Sequence, residues 1–153
     1  MNSLITPDEV IKLAFSPTEQ IKPSAIIESK IIAAEEKYIR PVLGGLFEAL
    51  KEGKYPELLD EYIKPALAYY VRYGVIPDLS LKLNNMGAQT AFTSHTNAAT
   101  DKQRGEMRMQ AKDDADALLS KALRRISNGD YPEYNPEKNV RGKVIMNGGL
   151  IIT

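Results

Sequence analysis

Pro56-Glu57-Leu58-Leu59-Asp60-Glu61-Tyr62-Ile63-Lys64-Pro65-Ala66-Leu67-Ala68-Tyr69-Tyr70-Val71 is the stretch on which the fold turns. Leu58, Leu59, Tyr62, Ile63, Leu67, Tyr70 and Val71 recur three and four residues apart, the period of one helical face. Pro56 stands where a first helical residue tolerates proline, its missing amide being unneeded there. Pro65 falls inside the pattern and predicts a kink, since it removes a backbone donor and crowds the turn before it. Gly74 and Pro77 predict the end of the helix. One such stripe cannot bury itself, so further helices must cover it.

Toward the N-terminus, Thr6-Pro7-Asp8-Glu9 is a complete capping box with proline at the first helical position. Val10, Leu13 and Ala14 give that helix an apolar face, and Pro17 ends it. A second helix is predicted over Pro23–Ile39, with Ile26, Ile27, Ile31, Ala34 and Tyr38 as its core stripe and Pro41 as its breaker. Gly44-Gly45 then turns the chain into a short helix carrying Leu46, Phe47 and Leu50, closed by Gly53.

Toward the C-terminus the texture changes at Asp78. Leu79, Leu81 and Leu83 alternate with polar residues, the period of a half-buried strand, and Ala88–Phe92 returns after Asn85-Met86-Gly87 as its partner. Thr93–Ala99 reads as a polar loop. The longest helix is predicted over Thr100–Asn128, opened by Thr100 with Gln103 and closed by Gly129. Its half up to Lys112 is polar, which suits a helix that projects or packs against a partner. Tyr131–Asn139 reads as an extended linker. Val144–Met146 and Leu150–Thr153 form two short apolar strands about an Asn-Gly-Gly turn, too small to stand alone.

The expected fold class is therefore mainly α: a helical bundle with one long C-terminal helix, a small β-hairpin insertion near residues 79–92 and an extended C-terminal β arm. Residues 1–129 form the helical domain, with the hairpin and loop over 78–93, and 130–153 the docking arm. No internal repeat and no low-complexity segment stands out.

Composition narrows the function. The 153 residues carry 20 basic and 20 acidic side chains, a formal charge of zero, unlike the basic excess of a dedicated nucleic-acid module. Absent cysteine excludes disulfides, thiolate metal sites and a thiol nucleophile, and a single histidine excludes a multi-histidine metal centre. No apolar run approaches the roughly 20 residues a bilayer span needs, and Met1–Val10 has no signal-peptide character. His95 lacks a neighbouring acid and reads as a loop histidine. Asp113, Asp114 and Asp116 read as a solvated face, because a metal would want ligands from a second segment. The tyrosines fall on or near helical stripes and read as packing residues. No catalytic, cofactor-binding or metal residue is expected, and no enzyme activity. Lys102, Arg104, Arg108 and Lys112 are candidate contacts either to phosphate or to acids of a neighbouring subunit. Val144, Ile145, Met146, Leu150, Ile151 and Ile152 are the candidate docking residues of the arm, by strand addition to another chain.

Leu4-Ile5-Thr6-Pro7-Asp8-Glu9-Val10, Ala33–Gly44, Leu58–Ala68 and Leu83–Ala88 together resemble the head–tail connector (adaptor) proteins of tailed bacteriophages. The version resembled is that of phages and prophages of Bacteroides-like hosts, crAss-like phages included. The resemblance spans about Met1–Gly129 and rests on helix-packing motifs. It implies a helical bundle that assembles, usually twelvefold, into a ring beneath the portal, with DNA passing through the centre in non-specific contact. It also implies that the long helix serves subunit contacts or the channel, and that the C-terminal extension reaches the portal or further neck and tail proteins. The virion neck, assembled in the host cytoplasm, is then the location, with no membrane involved. A small helical nucleic-acid-binding or regulatory protein is the alternative.

Overall fold

The computed structural model describes residues 3–87 and 94–138, and the side chains of 3–79 and 101–137. Helix α1 (Pro7–Ala14) is followed by two single 3-10 turns, Pro17–Glu19 and Pro23–Ala25. Helix α2 (Glu28–Ala34) passes through a π-turn (Glu35–Ile39) into α3 (Arg40–Leu43), and α4 (Gly45–Lys51) follows. Helix α5 (Pro56–Leu58) passes through a second π-turn (Leu59–Ile63) into α6 (Lys64–Gly87). Helix α7 (Ser94–Asn128) is the longest at 35 residues, about 52 Å at 1.5 Å per residue.

The capping box at Thr6 forms as the sequence requires: Glu9 N–H donates to Thr6 Oγ1 and Thr6 N–H to the Glu9 carboxylate. One core collects Val10 of α1, Ile31 of α2, Leu46 and Phe47 of α4, Leu67 and Tyr70 of α6, and Leu119 and Leu123 of α7. Ile27, placed on the core stripe by its spacing, is 54% exposed, because α2 begins only at Glu28 and Ile27 precedes its first turn.

Neither Pro41 nor Pro65 stops its helix. A proline ring clashes with the carbonyl four residues back, and the chain answers by widening the preceding turn. Arg40 N–H donates to Glu35 O and Lys64 N–H to Leu59 O, both five residues back. The two π-turns carry one motif, Tyr38-Ile39-Arg40-Pro41 and Tyr62-Ile63-Lys64-Pro65. At four residues the motif is a repeated local solution to a proline, not a repeat of a structural unit.

The expected β-hairpin is overturned. Residues 79–87 belong to α6 and residues 94–99 to α7, and no strand occurs among the described residues. Val75, Leu79, Leu83 and Met86 sit four, four and three apart, so the leucines that alternate also fit a helix, and pairing of α6 with α7 decides between the two periods. For the same reason Thr100 is not a cap but a residue inside α7. The return strand over 88–92 lies outside the described residues, as does the expected C-terminal β arm over 142–153.

Pro77 also lies inside α6. It lacks the amide that would bond Tyr73 O, and that carbonyl accepts instead from Arg108 Nε of α7 at 3.2 Å. Helices α6 and α7 run antiparallel, with Tyr70 bonded to Asp116 and, further along α6, Tyr73 to Arg108. The innermost charge is Glu35, 1% exposed, whose carboxylate accepts from Leu4 N–H at 2.7 Å and lies 3.2 Å from Lys51 Nζ. Past Gly129 the chain returns to the bundle. Tyr55 OH donates to Glu133 at 2.7 Å, and Tyr131 meets the Tyr55 ring edge-on at 4.9 Å. Gly45 permits this approach, since a Cβ there would lie 2.9 Å from Glu133 O.

Candidate functional site

The outer half of the α6–α7 hairpin is the most distinctive surface. Among the described side chains, the last buried position on α6 is Ile76 and the first on α7 is Ala111, and none of residues 101–110 is buried. Met107 and Met109 are 42% and 56% exposed. Two residues apart on a helix means about 200° apart around its axis, so each flank of α7 presents one methionine. Both lie in the half of α7 whose sequence is polar, so their exposure agrees with that reading.

The four cations proposed for phosphate or neighbour contacts do not form one open row. Arg104 pairs with Asp101 on its own helix. Arg108 is bound to Tyr73 O, with its guanidinium 4.1 Å from the Tyr73 ring centroid. Lys112 Nζ lies 3.0 Å from Asp116 Oδ2, and Asp116 also accepts from Tyr70 OH. Lys102 is exposed. Three of the four therefore serve contacts within the chain, a use invisible in a one-dimensional pattern of charges.

A second cationic group stands at the other end of α7. Lys121 and Arg125 approach the Tyr62 ring at 5.6 and 6.0 Å from its centroid, and Arg124 is exposed beside them. No carboxylate among the described residues forms an ion pair with these three. Arg125 lies in the last turn, where the helix dipole favours a cation, and the outward sides of the three can meet an anionic surface.

Ion pairs fix the remaining faces. Arg72 donates two 2.8 Å bonds to Glu19, which hold its carboxyl below the usual 4.5 against the opposing effect of burial. Burial acts most strongly on Glu9 and raises its carboxyl, but Lys64 at 2.8 Å and the Thr6 amide outweigh it and leave it lowered. Asp114 accepts from Gln110 at 2.9 Å, and Asp113 is exposed. No group of three or more His, Asp or Glu able to hold a metal occurs among the described residues. No described helix is long and apolar enough to cross a membrane. His95 lies within α7 with its side chain outside the described set, and the docking candidates Val144, Ile145, Met146, Leu150, Ile151 and Ile152 lie outside the described residues.

No curated protein and no solved structure matches the chain. Residues 24–144 match DUF6712, a family of unknown function, from the turn before α2 through α7 and beyond. With most of its length matched, the chain belongs to this family.

Proposed function

We propose that this protein is a non-enzymatic structural subunit of a tailed-phage neck, forming a homo-oligomeric ring between portal and tail through which DNA passes. The observation that carries the reading is the outer hairpin, with Met107 and Met109 exposed on opposite flanks. A ring subunit meets two neighbours through two different surfaces, a heterologous contact that closes by rotation. One apolar side chain on each flank suits that arrangement, whereas a pairwise dimer needs only one face. The resemblance in helix-packing motifs supports the same role and supplies the twelvefold expectation.

The alternative of a nucleic-acid regulator loses support where it needed it, since Arg104, Arg108 and Lys112 are occupied within the chain. A channel subunit must let DNA slide, so the isolated protein is expected to bind it at most at micromolar affinity, without sequence preference and sensitively to salt. Native mass measurement with purified portal protein tests the proposal. A ring or a portal-bound assembly is expected. A persistent monomer in that mixture, or nanomolar gel-shift preference for one DNA sequence, would overturn it.

A further inference from the structure

Residues 3–19 form a strap that closes the bundle along α6. Ile5, Val10 and Ala14 of the strap are buried, so the groove they fill needs an occupant. Polar fasteners hold it at three points. Leu4 N–H donates to Glu35 at 2.7 Å, Lys64 to Glu9 at 2.8 Å, and Arg72 to Glu19 through two bonds at 2.8 Å. Arg72 also donates to Ala14 O at 3.0 Å, closing the end of α1, and its guanidinium lies 4.7 Å from the Phe15 ring centroid. Each fastener joins the strap to a residue at least 31 positions away, so none depends on how the strap is connected to the rest.

The connection itself is thin. Just after Glu19, Gln20 sits in the left-handed region at φ 50 and ψ 48, a conformation a non-glycine residue adopts at a cost. Lys22 is extended and exposed, and Pro23 opens the next turn. The family match begins at residue 24, where this hinge ends. The strap is thus a distinct piece laid into a groove, joined to the rest of the chain only through this hinge.

We propose that the strap exchanges between copies: the groove along α6 that holds it accepts the strap of a second copy of this chain. Every strap contact is kept when the donor is a neighbour, and straightening the hinge frees Gln20 from its left-handed conformation. What opposes exchange is the entropy of association, so concentration sets the balance. Such exchange does not depend on the neck role, and an assembly can form on a portal with every strap closed on its own body.

Two full-length variants with complementary charges test it. Glu19→Arg places a cation against Arg72, and Arg72→Glu places an anion against Glu19, so each strap is repelled by its own groove. In a mixture, the strap carrying Glu19→Arg meets the groove carrying Arg72→Glu with the charges reversed, and the other strap and groove restore the native pair. Each variant alone is expected to melt below the native chain, and the equimolar mixture to form a heterodimer of twice the single-chain mass with its melting restored. A mixture that stays at single-chain mass overturns the proposal.

Should either variant fail to fold, otherwise native chains decide. Donor dye at Leu13→Cys and acceptor dye at Ser29→Cys, both exposed sites on a chain without other cysteines, are placed on one chain as a reference and on separate chains as the test. After incubation at high concentration, mixed chains are expected to contain a population with the transfer efficiency of the doubly labelled reference. Absence of that population sinks the exchange.

Discussion

The carbonyl of Tyr73 would, in an unbroken helix, accept from the amide of residue 77, and proline has none. Arg108 supplies the donor from the facing helix, so a residue that reads as a surface cation is a substitute for part of the backbone. Arg108→Ala should therefore cost about 1–2 kcal/mol, as expected for leaving a half-buried acceptor unpaired. In a Pro77→Ala background, where the amide returns, the same substitution should cost about 1 kcal/mol less. A double-mutant cycle in urea measures the difference; equal costs in the two backgrounds would refute the pairing. The ring contact with Tyr73 is lost in both, so only the carbonyl contributes to the coupling. Glu19 makes a second prediction at this scale. A carboxyl held below its ordinary 4.5 in the folded state adds stability above that pH and loses it as pH falls through the lowered value. The urea midpoint of the native chain should accordingly fall as pH drops below 4.5. In Arg72→Met, where Glu19 has no cation, the fall should be shallower, although Glu9 still contributes its share through Lys64.

At the scale of elements, each π-turn amounts to one extra residue absorbed by a helix so that a proline can follow. Deleting exposed Glu61 together with Pro65→Ala should convert the second π-turn to ordinary helix and keep the flanking helices in phase. Circular dichroism should show a folded, helical protein. Deleting buried Ala68 from α6 instead shifts every later core residue by about 100° and should abolish cooperative melting. The capping box at Thr6, the short helix after Gly44-Gly45 and the end of α7 at Asn128 were all legible, because each rests on local chemistry within a few residues. What misled were signals whose outcome is set elsewhere in the chain. Pro41 and Pro77 read as stops and Pro65 as a kink, but Pro41 and Pro65 are accommodated by widened turns and Pro77 by a side chain of the facing helix. The alternating leucines after Asp78 satisfy strand and helix periods alike, and only the presence of α7 alongside decides. Of the candidate site, the polar half of α7 and its cations were visible; that most of those cations are spent inside the chain was not, since ion pairing depends on which faces meet.

Across the whole molecule, the core lies toward one end of the α6–α7 pair, and residues 101–110 of α7 have no buried side chain among them. Stability should thus be nearly insensitive to that outer half. Met107→Gln combined with Met109→Gln should leave the unfolding free energy within about 0.5 kcal/mol, the usual range for surface changes. Assembly with purified portal should nevertheless be lost, or should require a concentration roughly tenfold higher or more, as removal of about 1.4 kcal/mol of contact implies. Normal assembly by the double variant would remove the hairpin flanks from the subunit contact. The segment after Gly129 lies at the opposite end, held to Tyr55 and Lys54 through Glu133, so the protein presents chemically different surfaces at its two ends.

The stack of Tyr38 on Tyr70, with ring centroids 4.2 Å apart and the Tyr70 hydroxyl given to Asp116, has an optical consequence. The chain has eight tyrosines and no tryptophan, so its ultraviolet emission is tyrosine emission alone. A phenol hydrogen-bonded to a carboxylate and stacked on a second ring is dim. Separating the first π-turn from α6 and α7 frees both rings at once, and the protein should brighten as it unfolds, a label-free signal seated where that turn meets two helices.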